Sequence, residues 1–318
     1  MLVAVLGDAH AHREALEAVI AAAAARGADQ LWSLGDMIGG GPDPERAVTL
    51  TREHCAVALL GNHDYGATSA DPARFGEPGS PGRRSIELAR RRLAEPDVDW
   101  LRSRRPAARR EGVQCWHGSP RNPVREYVGV SNAGACLAVQ RAQLGFVGHT
   151  HVPAAWRATA GGGARRVPVH PGEPLDVSTG TWLLNPGAVG APVPSRLGWW
   201  DALADQAPAG AFWLLADLAA RTVTWHRAPF DPGPARARAR ALGLDGSELG
   251  PWEQEVPSGT RGVVQSAPAA LSRPTSGGLP QPGPSGGKGR LTSRRDGPSS
   301  IVPSFGPLGS RNGGWRRR

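Results

Sequence analysis

The sequence predicts an α/β protein, and three observations carry that expectation. Short apolar runs, Val3 to Leu6, Leu31 to Leu34 and Ala56 to Leu60, alternate with helical patterns over the first sixty residues. That is the rhythm of βαβ units and a parallel sheet. Beyond His151 the pattern turns into short alternating or compact apolar runs separated by Gly and Pro, as antiparallel strands do. From about Glu255 the composition collapses into Ser, Gly, Pro and Arg, too poor in apolar residues to fold by itself. The expectation is therefore a domain over residues 1–250 and a disordered tail over 251–318.

Taken in order, residues 2 to 6 form the first strand. Arg13 to Arg26 is alanine-rich with Leu and Ile on one stripe, and Gly27 closes it, the signature of a helix and its C-terminal stop. Leu31 to Leu34 then completes a βαβ unit with a parallel pair. The GGGPDP loop, Gly39 to Pro44, feeds a second helix through Thr51, with Pro44 where helix starts tolerate proline. Ala56 to Leu60 is the third strand. Asp71 to Gly82 reads as a surface loop, and Arg83 to Leu93 as a basic amphipathic helix whose arginines form a solvated face rather than a phosphate site. A strand at Gly112 to Trp116, a helix at Asn132 to Ala142 and a strand at Leu144 to Val147 follow. Ala154 to Ala158, Val167 to Val169, Trp182 to Leu184, Phe212 to Leu215 and Thr222 to Arg227 predict a second, mostly antiparallel sheet, and Pro232 to Leu242 a short terminal helix.

Five strands run into polar loops. Val3 to Leu6 leads to Gly7-Asp8-Ala9-His10, Leu31 to Leu34 to Gly35-Asp36, and Cys55 to Leu60 to Gly61-Asn62-His63-Asp64. Val113 to Trp116 leads to His117-Gly118-Ser119, and Leu144 to Val147 to Gly148-His149-Thr150-His151. Strand ends project from the rim of the sheet, where α/β folds place their chemistry. A single Gly-Asp or Gly-His pair is ordinary turn chemistry. The ordered set, mixing carboxylate, imidazole and amide donors behind strands, describes a metal site.

This set resembles the calcineurin-like metallophosphoesterase superfamily. Within it, the stretch Gly35-Asp36-Met37-Ile38-Gly39-Gly40-Gly41-Pro42-Asp43-Pro44, His117-Gly118-Ser119-Pro120 and Leu184-Asn185-Pro186-Gly187-Ala188-Val189-Gly190 are similar to the small bacterial and archaeal phosphodiesterase-like branch. The likeness covers about residues 1 to 232. It implies a two-sheet αββα sandwich and a dinuclear centre in which Asp8, His10 and His151 hold one metal, Asn62, His117 and His149 hold the other, and Asp36 bridges. It further implies hydrolysis of phosphodiester or phosphomonoester bonds with a metal-bridging hydroxide as nucleophile. His63 would face the substrate, stabilising phosphoryl charge or protonating the leaving oxygen, and Asp64 would orient His63 through its other ring nitrogen. The implied cofactor is two divalent ions. Likeness to manganese-dependent relatives favours Mn(II), and Fe, Zn, Co or Ni also suit these donors. Ser/Thr phosphoprotein and dinucleoside-polyphosphate phosphatases resemble the same motifs and stand as the alternative. A metal-binding scaffold without catalysis would be expected to have lost His63 or a ligand, and none is missing.

The chain departs from the family's pattern in places. Where the family commonly has Gly-Asn after the first motif, this chain has Ala11-His12. His12 reads as a surface histidine at a helix entry, with a hydrogen bond near the site as the other reading, and Ala11 is harmless unless its position requires positive φ. Arg196 arrives late after the Asn185-Pro186-Gly187 loop, and residues 195–212 make a long connection. Ser119, Arg121 and Tyr127 follow His117 and could line a substrate cleft. Arg121 is the phosphate contact among them, its guanidinium fork matching phosphate oxygens, set against a surface role. Trp199, Trp200 and Trp213 read as packing.

The 318-residue chain carries a net charge of +9, and the residues from Pro251 to Arg318, ten basic and three acidic, account for +7 of it. The first 250 residues are nearly neutral, which argues against a nucleic-acid-binding catalytic part. The partner is then a small phosphoester, and nucleic-acid contact is left to the basic tail. Cys55, Cys115 and Cys136 have no metal-like spacing and read as buried free thiols. No stretch approaches the ~20 apolar residues that span a bilayer, and the start lacks the pattern of a signal peptide, so the expected setting is the cytoplasm.

Overall fold

A computed structural model describes residues 1–69, 79–190 and 210–244 of the chain. In β1 (Leu2–Leu6) the side chains alternate between two cores. Val3 and Val5 point into a cluster with Trp32, Leu34, Phe146 and Trp225, while Ala4 and Leu6 face Leu16 and Val19 of α1 (Arg13–Ala25). A period of two in the strand meets a period near 3.6 in the helix, so one apolar stripe covers one face of the sheet. Full burial of Leu16 or Val19 is worth roughly 1.5–3 kcal/mol each.

Next come β2 (Gln30–Ser33), α2 (Pro44–His54), β3 (Cys55–Ala58), α3 (Asn62–Thr68), α4 (Pro81–Arg92) and α5 (Glu95–Arg102). They are followed by β4 (Ala107–Arg110), β5 (Val113–Trp116), α6 (Ala133–Val139), β6 (Leu144–Val147), β7 (Ala154–Ala158) and β8 (Ala164–Val167). The described part closes with β9 (Pro174–Asp176), β10 (Trp182–Asn185), β11 (Gly210–Asp217), β12 (Thr222–Pro229) and α7 (Gly233–Ala241).

Two six-stranded sheets result, in the orders β3-β2-β1-β11-β12-β9 and β4-β5-β6-β10-β7-β8. In the first, β1, β2 and β3 are mutually parallel; in the second, β5, β6 and β10 are. Antiparallel strands extend each trio, β11, β12 and β9 on one side and β7 and β8 on the other, with β4 antiparallel to β5. The largest apolar cluster draws on both sheets, and α6 covers the outer face of the second through Cys136 and Leu137 against Trp156 and Leu183. The αββα sandwich is therefore observed.

The late strands correct one expectation. They do not form a sheet of their own: β11, β12 and β9 continue the sheet begun by β1, and β10, β7 and β8 continue the one begun by β5 and β6. Pairing across such sequence distances is a tertiary choice that alternation within a strand does not encode. Four elements were also absent from the sequence reading: β4, the exposed β9, α5, and α3, which starts on the loop after β3. The helix expected at Asn132 to Ala142 stops at Val139, because Gln140 turns extended and its amide bonds Ala142 O and Trp182 O. The strand expected at Val167 to Val169 lies earlier, at Ala164–Val167.

The arginines of α4 tie it to its neighbours: Arg92 to Glu45 and Pro42 O, each at 2.7 Å, and Arg90 to Ser69 O at 2.6 Å. A second tie was unforeseen. Arg238 of α7 grips Asp43 through Nε at 2.8 Å and Nη2 at 2.6 Å and also reaches Glu14 at 2.6 Å, fastening the last described helix to the loop before α2. All three cysteines are free thiols, Cys115 and Cys136 buried and Cys55 partly so. No described helix is long and apolar enough to cross a membrane. The domain boundary near residue 250, the tail beyond it, most of the loop expected at Asp71 to Gly82, and Arg196, Trp199 and Trp200 lie outside the described residues.

Candidate metal centre

Parallel strands end on the same edge, and the two trios deliver their C-terminal ends to one place. Asp8 and His10 follow β1, Asp36 follows β2, and Asn62 opens α3 just after β3. His117 follows β5, His149 and His151 follow β6, and Asn185 ends β10.

The seven residues expected as ligands are brought together. Asp8, His10 and His151 form one group, Asp36, His117 and His149 another, with donor atoms within 4.8 Å of one another in each. His10 Nε2 lies 3.0 Å from His151 Nε2, and His151 Nε2 lies 3.5 Å from Asp8 Oδ1. In the second group Asn62 Oδ1 is 2.9 Å from His117 Nε2. Asp36 joins the two: its Oδ2 is 3.7 Å from His10 Nε2 and 3.5 Å from His117 Nε2. Its Oδ1 accepts from the His63 amide at 2.8 Å, which fixes the carboxylate at the start of α3. No side chain fits at Gly61, where a Cβ would run into Asp36.

The backbone is unusual. Asp8, His10, Asp36, His149 and His151 all have φ between +47 and +66, a region that costs an L-residue about 1 kcal/mol or more. Ala11 shares it at φ 59, so the position does require positive φ and alanine bears that strain. A ladder of hydrogen bonds holds the turns in register: Asp8 N to Gly35 O at 2.9 Å, His10 N to Asp36 O at 2.9 Å and Ala11 N to Met37 O at 2.8 Å.

Partners around the donors set their tautomers. His10 Nδ1 faces Gly39 O at 2.8 Å and His117 Nδ1 faces Leu34 O at 3.0 Å. A carbonyl only accepts, so each Nδ1 carries the proton and each Nε2 presents a lone pair to the centre. Burial is the main cause of every shift in ionisation. It pushes Asp8 up to about 8 and Asp64 up to about 6, and it holds Asp36 well above the usual carboxylate range, with Asp64 and Asp8 adding repulsion there. It pushes His63 and His149 down to about 4 and holds His10 and His117 well below their ordinary value. Three buried carboxyls beside imidazoles that resist protonation form a site whose missing positive charge a cation would supply. The donor set fits divalent metal ions.

Other expected residues take different places. Asp64 does not orient His63. Its Oδ1 accepts from Met37 and Ile38 amides at 3.0 and 3.2 Å and its Oδ2 from the Gly61 amide at 2.9 Å, so it fastens the turn after Asp36 to the start of α3. The His63 Nδ1 is buried without a hydrogen-bond partner, and the ring stands edge-on to His10 with centroids 4.7 Å apart. His12 is buried, not a surface residue, with Nδ1 3.2 Å from Ala9 O. Ser119 is fully buried. Its hydroxyl donates to Glu126 and accepts from the Arg121 and Asn122 amides, which makes it a turn-builder rather than a cleft residue. Arg121 lies 3.7 Å from the Glu126 carboxylate and is half-exposed. The cavity in this region, about 510 Å³, is lined by Tyr65, Asn122, Val124 and Arg125 instead. Tyr127 stacks on His149 with ring centroids 3.8 Å apart, and Trp213 is core.

Two contributors were given no role in the sequence reading. Asn185 donates from Nδ2 to Gly148 O at 2.7 Å and Thr150 Oγ1 at 3.0 Å, and its Oδ1 accepts from the Gly187 amide at 2.8 Å. It clamps the loop that carries His149 and His151, and its signal was the Asn-Pro-Gly run at a strand end. Arg125 sits on the cavity wall within one turn of Arg121, and nothing in the sequence distinguishes the two.

Comparison with known proteins agrees with this fold. A sequence model described as the Calcineurin-like phosphoesterase superfamily domain matches residues 1–198. A metallophosphoesterase from Sphaerobacter thermophilus of known structure is 30% identical, with a TM-score of 0.65 over 78% of this chain and 97% of that one. A hypothetical protein from Pyrococcus horikoshii shares the fold at 17% identity, with a TM-score of 0.60 over 78% of this chain and 96% of that one. An uncharacterized protein of Methanocaldococcus jannaschii is 28% identical over 203 residues, 60% of this chain and 77% of that protein.

Proposed function

Because the chain belongs to the calcineurin-like phosphoesterase superfamily, we propose that it hydrolyses phosphodiester or phosphomonoester bonds at a pair of divalent cations. The observation that carries this reading is the placement of Asp36, whose Oδ2 lies within 3.7 Å of an imidazole nitrogen from each ligand group. Asp8, His10 and His151 would hold one cation, Asn62, His117 and His149 the other, and Asp36 both. Bound there, two cations supply an activated water and neutralise the phosphoryl oxygens. Mn(II) suits the imidazole, carboxylate and amide donors, as do Fe, Zn, Co and Ni.

The chain's own residues do the rest. His63, held neutral at pH 7 by burial, offers a hydrogen bond to a phosphoryl or leaving oxygen without adding a charge that would repel the cations. Asp64 acts at one remove, keeping Asp36 and Asn62 in place through the Met37, Ile38 and Gly61 amides. Tyr127 packs flat on one face of the His149 ring and limits its rotation. Three free thiols fit a reducing compartment, and we place the reaction in the cytoplasm.

The test is a panel of bis-p-nitrophenyl phosphate, p-nitrophenyl phosphate and a phosphopeptide, run on chelated protein reloaded with each metal. Turnover of the diester or the aryl monoester is expected, at two ions per chain. Asp36→Asn should cost more than about a hundredfold, since it weakens both sites together. A stoichiometry of one ion, or turnover of none of the three, would remove the reading, and turnover of the phosphopeptide alone would move it to a phosphoprotein phosphatase.

A further inference from the structure

The chain has only two tyrosines in 318 residues, one packed on a proposed ligand of the metal centre and the other on the helix that Asn62 opens. Tyr65 lies on α3 one turn beyond Asn62 and lines the 510 Å³ cavity together with Asn122, Val124 and Arg125. Tyr127 follows two residues after Arg125 and lies flat on His149, ring planes 15° apart. It is nonetheless 62% exposed. One face of the ring rests on a proposed metal ligand, so the exposure belongs to the edge and the outer face.

A residue that only shielded His149 from water would work as well with an aliphatic side chain, and a shield left 62% exposed is a poor one. A rigid aromatic surface facing outward beside a phosphoryl-binding centre has a better-defined use, because planar rings stack on it whatever their hydrogen-bond pattern. Two residues before Tyr127, Arg125 lines the cavity with Tyr65, Asn122 and Val124, and its guanidinium is a planar cation that suits either a phosphate oxygen or a ring face.

We propose that the outer face of Tyr127 is a stacking platform, and that the substrates of this centre are phosphoesters bearing a planar aromatic group, a nucleobase in the biological case. The proposal rests on the hydrolase reading above and narrows it. Alkyl and sugar phosphoesters would meet the same metal-site donors but forgo the stack.

The test is calorimetric and needs no turnover. Full-length protein loaded with Mn(II) is titrated with adenosine 5′-monophosphate and, separately, with ribose 5-phosphate, which differ only in the base. The nucleotide should bind about tenfold more tightly, the size of one base–aromatic stack. Tyr127→Phe, which keeps the ring, should retain that preference, and Tyr127→Leu should bring the ratio close to one. Equal affinities in the unaltered protein, a preference that survives Tyr127→Leu, or no binding of either ligand would each overturn the proposal. The hydrolase reading is judged separately, by turnover in the phosphoester panel.

Discussion

The two halves of the centre are built differently. Asp8, His10 and His151 all adopt the left-handed backbone conformation, whereas Asn62 opens a helix, His117 directly follows a strand, and only His149 on that side shares the strain. Elsewhere among the described residues, positive φ without glycine occurs at Asp36, which serves both halves, at Ala11, and at Glu111 and Arg221 in the β4–β5 and β11–β12 connections. The halves also differ in charge. One carries Asp8 and the other only neutral donors, with Asp36 between them. The first half is thus a strained, acidic set of turns held by neighbouring backbone. The second is prearranged by regular elements and needs little else. Strain of this kind persists only where the surroundings over-determine it.

The strongest way to break the comparison is to attack a residue that serves both halves. Asn185 clamps the loop that gives each half one histidine. Asn185→Leu should lower metal affinity and turnover together by about 10–100-fold, as read by metal titration and by hydrolysis of the diester. An unchanged affinity would mean that the loop holds its own shape and that the halves are independent.

A sharper distinction comes from pH in chelated protein. A carboxyl raised in the fold adds stability at low pH that is lost as pH climbs through its folded value, and Asp8 at about 8 and Asp36 are of this kind. A histidine lowered in the fold adds stability that is present above about 6.5 and lost as pH falls, and His63 and His149 at about 4 are of that kind. Above pH 6.5 only the carboxyls still titrate. Urea denaturation of the chelated protein should therefore show a fall of roughly 2 kcal/mol between pH 6.5 and 8. Mn(II) should flatten it by taking the place of the protons. A chelated profile that is level in this window would contradict the acidic character assigned to the first half.

The smallest effect separates the halves by backbone alone. In chelated protein His151→Gly removes a strained residue and should raise stability by about 1 kcal/mol. Asn62→Gly loosens the first turn of α3 and should lower it by up to about 1 kcal/mol. Thermal melts of the two variants shifting in the same direction would erase the distinction.

How much of this was legible in the sequence follows the same division. The ligands could be read because each lies directly after an apolar run, so strand, bend and donor are local neighbours. What Asp64 does could not be read from its adjacency to His63. At the third position of α3 its carboxylate turns back to the Gly61 amide and reaches the turn after Asp36, a contact 27 residues away in sequence. His12 looked like a surface residue because helix entries usually are, and only the packed fold buries it. The apparent second sheet failed for a related reason: alternation marks a strand without naming its partner, and β11 pairs with β1 across more than two hundred residues. Strand β9, three residues long with its ends exposed, leaves no pattern to find.

That last pairing has a consequence for synthesis. On the ribosome β1 acquires β2 early, but its other side stays bare until residues 210 to 217 have cleared the exit tunnel. For most of translation the nascent chain therefore shows, immediately upstream of Asp8 and His10, a strand edge that the finished sheet covers. Unpaired edges recruit other chains, so this interval is when the chain is most open to mispairing.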